Sequence, residues 1–182
     1  MEKGAKDKIK KVVLIGPEST GKTELAKYLA NYFNSIWIPE YARDYIVNLN
    51  RPYNFQDVEY IAQKQIEREK KFLKKANQWL FYDTYLIITK VWFNVVYKKV
   101  PHWFEKKIEE SSIDLFLLCN TDIPWIPDPV RENGGKMRNK LFDIYKNELD
   151  EYHFPYKIIA GKSEQRMQDA VTAVEDFFQI AK

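Results

Sequence analysis

The octet Gly16-Pro17-Glu18-Ser19-Thr20-Gly21-Lys22-Thr23 spells G-x-x-x-x-G-K-T, and the residues around it place it between a strand and a helix. The run Val12-Val13-Leu14-Ile15 reads as a buried parallel strand, and Leu25, Ala26, Leu29, Ala30 and Phe33 recur at helical spacing after it. A loop so placed ends at a helix N-terminus, where unpaired backbone N–H groups and the positive end of the dipole favour an anion. Gly16 and Gly21 permit backbone conformations that a Cβ hinders, Lys22 can reach the β- and γ-phosphates, and the Thr23 hydroxyl can ligate Mg²⁺. The octet, with Glu24 in the first helical turn, therefore reads as a site for a nucleoside triphosphate and Mg²⁺.

The rest of the chain limits what such a site can serve. At 182 residues the sequence has the length of one domain, and residues 1–182 are expected to act as a single unit. Hydrophobic residues make up 45% and aromatic residues 15%, too apolar for a disordered chain. A net charge of +3 with no basic stripe gives no reason to expect a nucleic-acid partner. Met1 to Lys11 is basic but lacks the apolar stretch of a signal peptide, and no run reaches ~18 uninterrupted apolar residues, so no membrane association is expected. The single cysteine, Cys119, reads as a buried strand thiol in a reducing, cytoplasmic setting. The oligomeric state is not legible.

Strands and helices alternate. Ser35 to Pro39 reads as a second strand, Glu40 to Leu49 as a short helix, and Phe55 to Ala76 as a long amphipathic helix with a solvated lysine face. Trp79 to Tyr82 forms a third strand ending on Asp83, and Ile87, Ile88, Val91, Val95 and Val96 keep helical spacing through 84–99. A short helix from Pro101 to Glu110 and a strand from Ile113 to Leu118 follow. Asn120 to Gly135 holds Pro124, Pro127, Pro129, Gly134 and Gly135 and reads as an irregular loop, with a lid segment at about 120–138. Helix 136–151, strand 156–160 and helix 164–180 complete the chain. This order predicts an α/β fold with a parallel sheet covered on both faces and a ligand crevice at the carboxyl ends of the strands. The phosphate loop, Glu40 and Asp83 should converge there.

A guanine-reading Asn-Lys-x-Asp is missing, since the late strand ends Cys119-Asn120-Thr121-Asp122, and no glycine follows Asp83. These features argue against a GTPase, and a small-molecule kinase fits best because it needs only a phosphate cradle, a metal site, an acceptor base and a cationic lid. Asp83 is the candidate for Mg²⁺, with a helix cap as its alternative. Glu40 can take the acceptor proton or simply balance a helix dipole. Arg43 and Asp44 share its helix face and can bind sugar hydroxyls or pair with each other. Arg131 and Arg138 flank Gly134-Gly135, where either can swing over the transferred phosphoryl group. Trp125 offers a face for a heterocycle or an anchor for the loop. Glu18, a carboxylate inside a phosphate cradle, is expected to turn toward the acceptor side or a backbone donor.

Taken in order, Gly16 to Thr23, Glu40-Tyr41-Ala42-Arg43-Asp44-Tyr45, Phe81-Tyr82-Asp83-Thr84 and Thr121 to Asp128 with Arg131 resemble the ribosylnicotinamide kinase domain of bacterial NadR-type NAD-salvage proteins. The resemblance implies a P-loop NTPase, nucleoside-kinase-like, in three α/β/α layers with a five-stranded parallel sheet. It also implies transfer of a phosphoryl group from ATP to the 5′-hydroxyl of nicotinamide riboside. Larger NadR proteins carry an adenylyltransferase domain with an H-x-G-H type motif before the kinase, and that second step is not expected here. Tyr85 stands where the family has a second acidic residue after Asp-Thr. An ATP-binding regulatory ATPase, or a kinase for another nucleoside-like alcohol, is the alternative.

Overall fold

The computed structural model describes residues 8–180. Five strands, β1 (Lys10–Ile15), β2 (Ile36–Ile38), β3 (Trp79–Asp83), β4 (Leu115–Cys119) and β5 (Tyr156–Ile159), form one sheet in the order β2-β3-β1-β4-β5, every pair parallel. The helices are α1 (Lys22–Tyr32), α2 (Tyr41–Val47), α3 (Phe55–Leu73), α4 (Leu86–Trp92), α5 (His102–Glu109), α6 (Gly135–Glu151) and α7 (Ser163–Phe178).

Alternate strand residues point to opposite faces, and both faces are covered. Val13, Ile15, Leu80, Tyr82, Phe116 and Leu118 pack into a core with α3, α4, α5 and α6. Val12, Leu14, Phe81, Leu115, Leu117 and Cys119 pack into a second core with α1 and α7. This three-layer arrangement explains why β3, β4 and the inner four residues of β1 read as apolar runs. Each fully buried Leu, Val or Phe contributes about 1.5–3 kcal/mol to holding the layers together.

Register brings the site together. Leu14 of β1 lies opposite Asp83 of β3, and Ile38 of β2 lies opposite Tyr82, so the three strands end at nearly one level. The chain leaves β1 toward one side of the sheet and later crosses to β4 on the other, which makes the end of β1 the switch point where ligands gather.

Two expectations need adjustment. The helix read over 84–99 is α4 continued by a π-helical turn, Phe93–Tyr97, which ends on Lys98 with φ 53°. The lid is shorter than 120–138, because α6 begins at Gly135 and takes up Arg138. Among the described residues no helix is long and apolar enough to cross a membrane.

Candidate active site

The phosphate loop is built by close approach to β4. Gly16 has φ +144°, and a Cβ there would lie 2.7 Å from the Cys119 carbonyl oxygen, so no side chain fits. Gly21, at φ 72°, occupies the N-cap of α1 and turns the chain into the helix. Lys22 arches back over the loop, its Nζ donating to the Pro17 carbonyl at 2.7 Å.

Two buried arginines shape this loop from behind. Arg138 donates to the carbonyls of Glu18 (3.0 Å) and Ser19 (2.7 Å), and Arg166 of α7 donates to that of Thr20 (2.9 Å). In a trans peptide the N–H points opposite to the carbonyl, so the N–H groups of Ser19, Thr20 and Gly21 face away from the arginines. Those three residues line the cavity, and the result is a concave set of donors suited to an anion.

Beside the loop, Thr23 Oγ1 donates to Asp83 Oδ2 at 2.6 Å, while Asp83 Oδ1 is buried without a partner among the described residues. Burial pushes the Asp83 carboxyl above its usual range, opposed by the Thr23 bond and by Lys22, Lys27 and Arg43. Asp83 does not cap α4, whose N-cap is Tyr85. Thr84, the residue between them, has φ 67°, an uncommon conformation for a β-branched residue and of the kind found at functional sites.

A cavity of about 540 Å³ opens from the loop. Glu40 lines it as the N-cap residue of α2, and its side chain makes no cap hydrogen bond there. Burial raises its carboxyl to about 7, Lys22 and Arg43 pulling down while Asp83 and Glu18 push up. A carboxylate poised near neutrality beside a phosphate loop suits proton transfer.

Further in, Tyr53 and Trp92 form an aromatic wall with ring centroids 4.9 Å apart at 79°. Tyr53 is held by the start of α3, where Asn54 and Asp57 form a capping box with bonds of 3.0 and 2.7 Å. Trp92 is the last residue of α4, followed at once by the π turn that carries Val95 and Val96 to the rim. The Thr89 hydroxyl, bonded to Gln65 at 2.9 Å, and Tyr145 complete the lining there.

Residues 129–133 roof the cavity. Glu18 turns out of the cradle to accept from the backbone of Glu132 (3.3 Å) and Asn133 (2.9 Å), as expected of a carboxylate that must avoid phosphates. Arg43 and Arg131 both line the cavity and both form ion pairs with Asp128, at 2.8 and 3.0 Å.

A model of the AAA domain family matches residues 11–166. The chain belongs to this family. The AAA domain is 31% identical over 139 residues to the trifunctional NAD biosynthesis/regulator protein NadR of Salmonella typhimurium, a match over 74% of this chain and 34% of that protein. A solved NadR structure in complex with NAD and AMP-PNP superposes with a TM-score of 0.77 at 25% identity, over 96% of this chain and 51% of that one. Another, in complex with NR, gives 0.78 at 24% identity, over 95% and 50%. The chain thus spans about a third to a half of the length of these relatives.

The AAA domain brings most of the expected residues together and displaces four. Gly16, Glu18 to Glu24, Glu40, Arg43 and Arg131 line one cavity, with Asp83 directly behind Thr23. Pro17 does not line it and contributes its carbonyl to Lys22 and Thr20 instead. Asp44 is exposed on α2 and turned from the cavity, one helical step beyond Arg43. Trp125 lies against Gly134, where a Cβ would come within 3.3 Å of its ring, so it anchors the loop and does not reach the cavity. Arg138 cannot swing as a lid arginine, because α6 and the two loop carbonyls hold it buried. Tyr85 adds nothing to the cavity either, since its hydroxyl bonds Glu69.

Tyr53, Trp92, Gln65, Thr89, Tyr145 and Arg166 escaped the sequence reading. Trp92 was foreseeable: Ile88, Trp92 and Val95 form a stripe beside the core stripe of Ile87 and Val91, and only one of two adjacent stripes can face the sheet.

Proposed function

We propose that this domain is an ATP-dependent kinase that phosphorylates the 5′-hydroxyl of nicotinamide riboside, with residues 1–182 acting as one unit. The observation that carries this reading is Glu40, a carboxyl raised to about 7 in the same cavity as the phosphate loop. A pure nucleotide switch has no use for an acceptor-side base.

ATP lies with its phosphates on the N–H groups of residues 19–21 and against Lys22. Mg²⁺ fits the residues present: a hydroxyl and a carboxylate are hard oxygen donors, and Asp83 Oδ1 is buried without a protein partner. Thr23 and Asp83 would hold it, and its chemistry is to offset phosphate charge. Glu40 accepts the hydroxyl proton as the oxygen attacks the γ-phosphorus, the bond to the β,γ-bridging oxygen breaks to release ADP, and Arg131 faces the negative charge that develops on the transferred group.

The acceptor end supports a cationic heterocycle. Its aromatic wall is Tyr53 and Trp92, and Glu18, Glu24, Glu40 and Glu132 are the carboxylates around the cavity. The similarity to NadR, and to a NadR structure carrying NR, points the same way. Such a reaction belongs in the cytoplasm, with which the lone buried Cys119 is compatible.

The test is to offer the purified protein nicotinamide riboside with Mg·ATP and look for nicotinamide mononucleotide by mass spectrometry. Robust phosphorylation of a different alcohol, with none of the riboside, rejects the substrate and keeps the kinase. ATP hydrolysis indifferent to every acceptor rejects the kinase in favour of a regulatory ATPase.

A further inference from the structure

Five consecutive residues, 129–133, roof the cavity, and each end of this roof is pinned by a carboxylate. At the far end Glu18 of the phosphate loop receives the N–H groups of Glu132 and Asn133 and the Asn133 side-chain amide at 3.1 Å. At the near end Asp128 spans the gap to α2. Its Oδ2 accepts from Arg43 Nη2 at 2.8 Å and lies 3.0 Å from Arg131 Nε in an ion pair, and its Oδ1 accepts from the Val130 N–H at 3.0 Å.

Arg131 therefore stands mid-roof with its guanidinium ion-paired to Asp128 and an Nη1 hydrogen on the Ile126 carbonyl. Its guanidinium has five N–H donors in a fixed plane. The Nη1 bond to Ile126 and the ion pair with Asp128 hold this plane at two edges, on a residue that lines the cavity. Asp128 also sits between two cations that repel each other without it, Arg43 on the acceptor helix and Arg131 on the roof. Its own side chain is 17% exposed, enough shielding for these bonds to fix geometry.

We infer that Asp128 is a positioning residue for phosphoryl transfer: it docks the roof on α2 and orients Arg131 toward the transferred phosphoryl group. This rests on the kinase reading. Asp128 touches neither nucleotide nor acceptor in this account, and its effect passes through Arg131.

A double-mutant cycle tests it. Asp128→Asn is expected to lower kcat by about ten- to a hundredfold, the cost of a misplaced group, with KM for ATP changed less than about twofold. Asp128→Glu, which keeps the charge, recovers part of the rate. In an Arg131→Ala background, Asp128→Asn changes kcat by less than about twofold, because the group it positions is gone. Equal fold-losses in both backgrounds overturn the inference, as does a loss confined to KM or to melting temperature. Limited trypsin digestion supplies a readout without turnover: cleavage after Arg131 is faster in Asp128→Asn than in wild type, and unchanged cleavage shows that Asp128 does not hold the roof. If wild type turns over no acceptor, the kinase reading falls separately, and the digestion alone decides the docking.

Discussion

Thr23 Oγ1 and Asp83 Oδ2, sixty residues apart in the chain, are joined by a 2.6 Å hydrogen bond at the carboxyl ends of adjacent strands. The pairing of Leu14 with Asp83 makes this contact possible, since it sets the phosphate loop level with the end of β3. Asp83→Asn is expected to raise the Mg²⁺ concentration for half-maximal turnover at least about tenfold, because it replaces a charged oxygen ligand by an amide. A Mg²⁺ titration of ADP release checks this, and an unchanged requirement removes Asp83 from the metal site.

Glu40 ties activity to pH and stability in opposite directions. With its carboxyl at about 7, kcat/KM should rise with pH through about 7 as the base ionises, and Glu40→Gln should flatten that limb and cost about 10²–10⁴-fold in rate. Stability follows from the ordinary carboxyl value of 4.5 in the unfolded chain. Between 4.5 and about 7 the folded state holds a proton that the unfolded state has released, so stability falls as pH rises across that window. Glu40→Gln removes this loss. Its melting temperature should match wild type near pH 4.5, exceed it increasingly up to about pH 7, and keep a constant lead above that. A lead that is the same at every pH refutes the raised carboxyl.

The fold was legible because the central strands β1, β3 and β4 carry apolar runs and each long helix has one apolar stripe. The donor side of the site was legible for a different reason, since a phosphate cradle is contiguous in sequence. Glu40 and Asp83 could be placed with it by knowing only that parallel strands end together. Trp125, Asp44 and Arg138 went astray because a loop's path, a helix's rotation and a helix's starting residue decide where they point. Trp125 folds onto Gly134, and Arg138 falls on the fourth residue of α6. Tyr53 and Trp92, 39 positions apart, meet only through the packing of α3 against α4 and carry no local signature.

The arginines divide by role. Arg138 and Arg166 hold the carbonyls of residues 18–20 and so shape the phosphate loop, whereas Arg131 lines the cavity and, in the proposed kinase, faces the transferred group. Arg138→Lys or Arg166→Lys loses the fork that grips these carbonyls, and is expected to weaken ATP binding about tenfold while kcat at saturation changes less than about threefold. Arg131→Ala is expected to do the reverse, lowering kcat by at least about a hundredfold with ATP affinity nearly intact. Calorimetry of ATP binding alongside turnover separates the two. A large kcat loss in Arg138→Lys at unchanged affinity would restore it as a lid arginine.

The aromatic wall should read the charge of the acceptor. A pyridinium ring near Trp92 and Tyr53 gains from their negative faces, and a neutral ring of the same shape gains only from burial. Wild type should therefore favour nicotinamide riboside over its reduced, uncharged dihydro form, read as the ratio of kcat/KM values. Trp92→Leu keeps an apolar surface and removes the strongest ring. It is expected to raise KM for the cationic riboside about tenfold and to narrow the preference, with KM for ATP unchanged within about twofold. Tyr53→Phe keeps the ring and loses the 3.1 Å bond to Glu132, so the preference should survive while kcat falls with the loosened roof. If Trp92→Leu weakens both acceptors equally, the wall contributes burial alone, and recognition of the cation lies with the carboxylates around it.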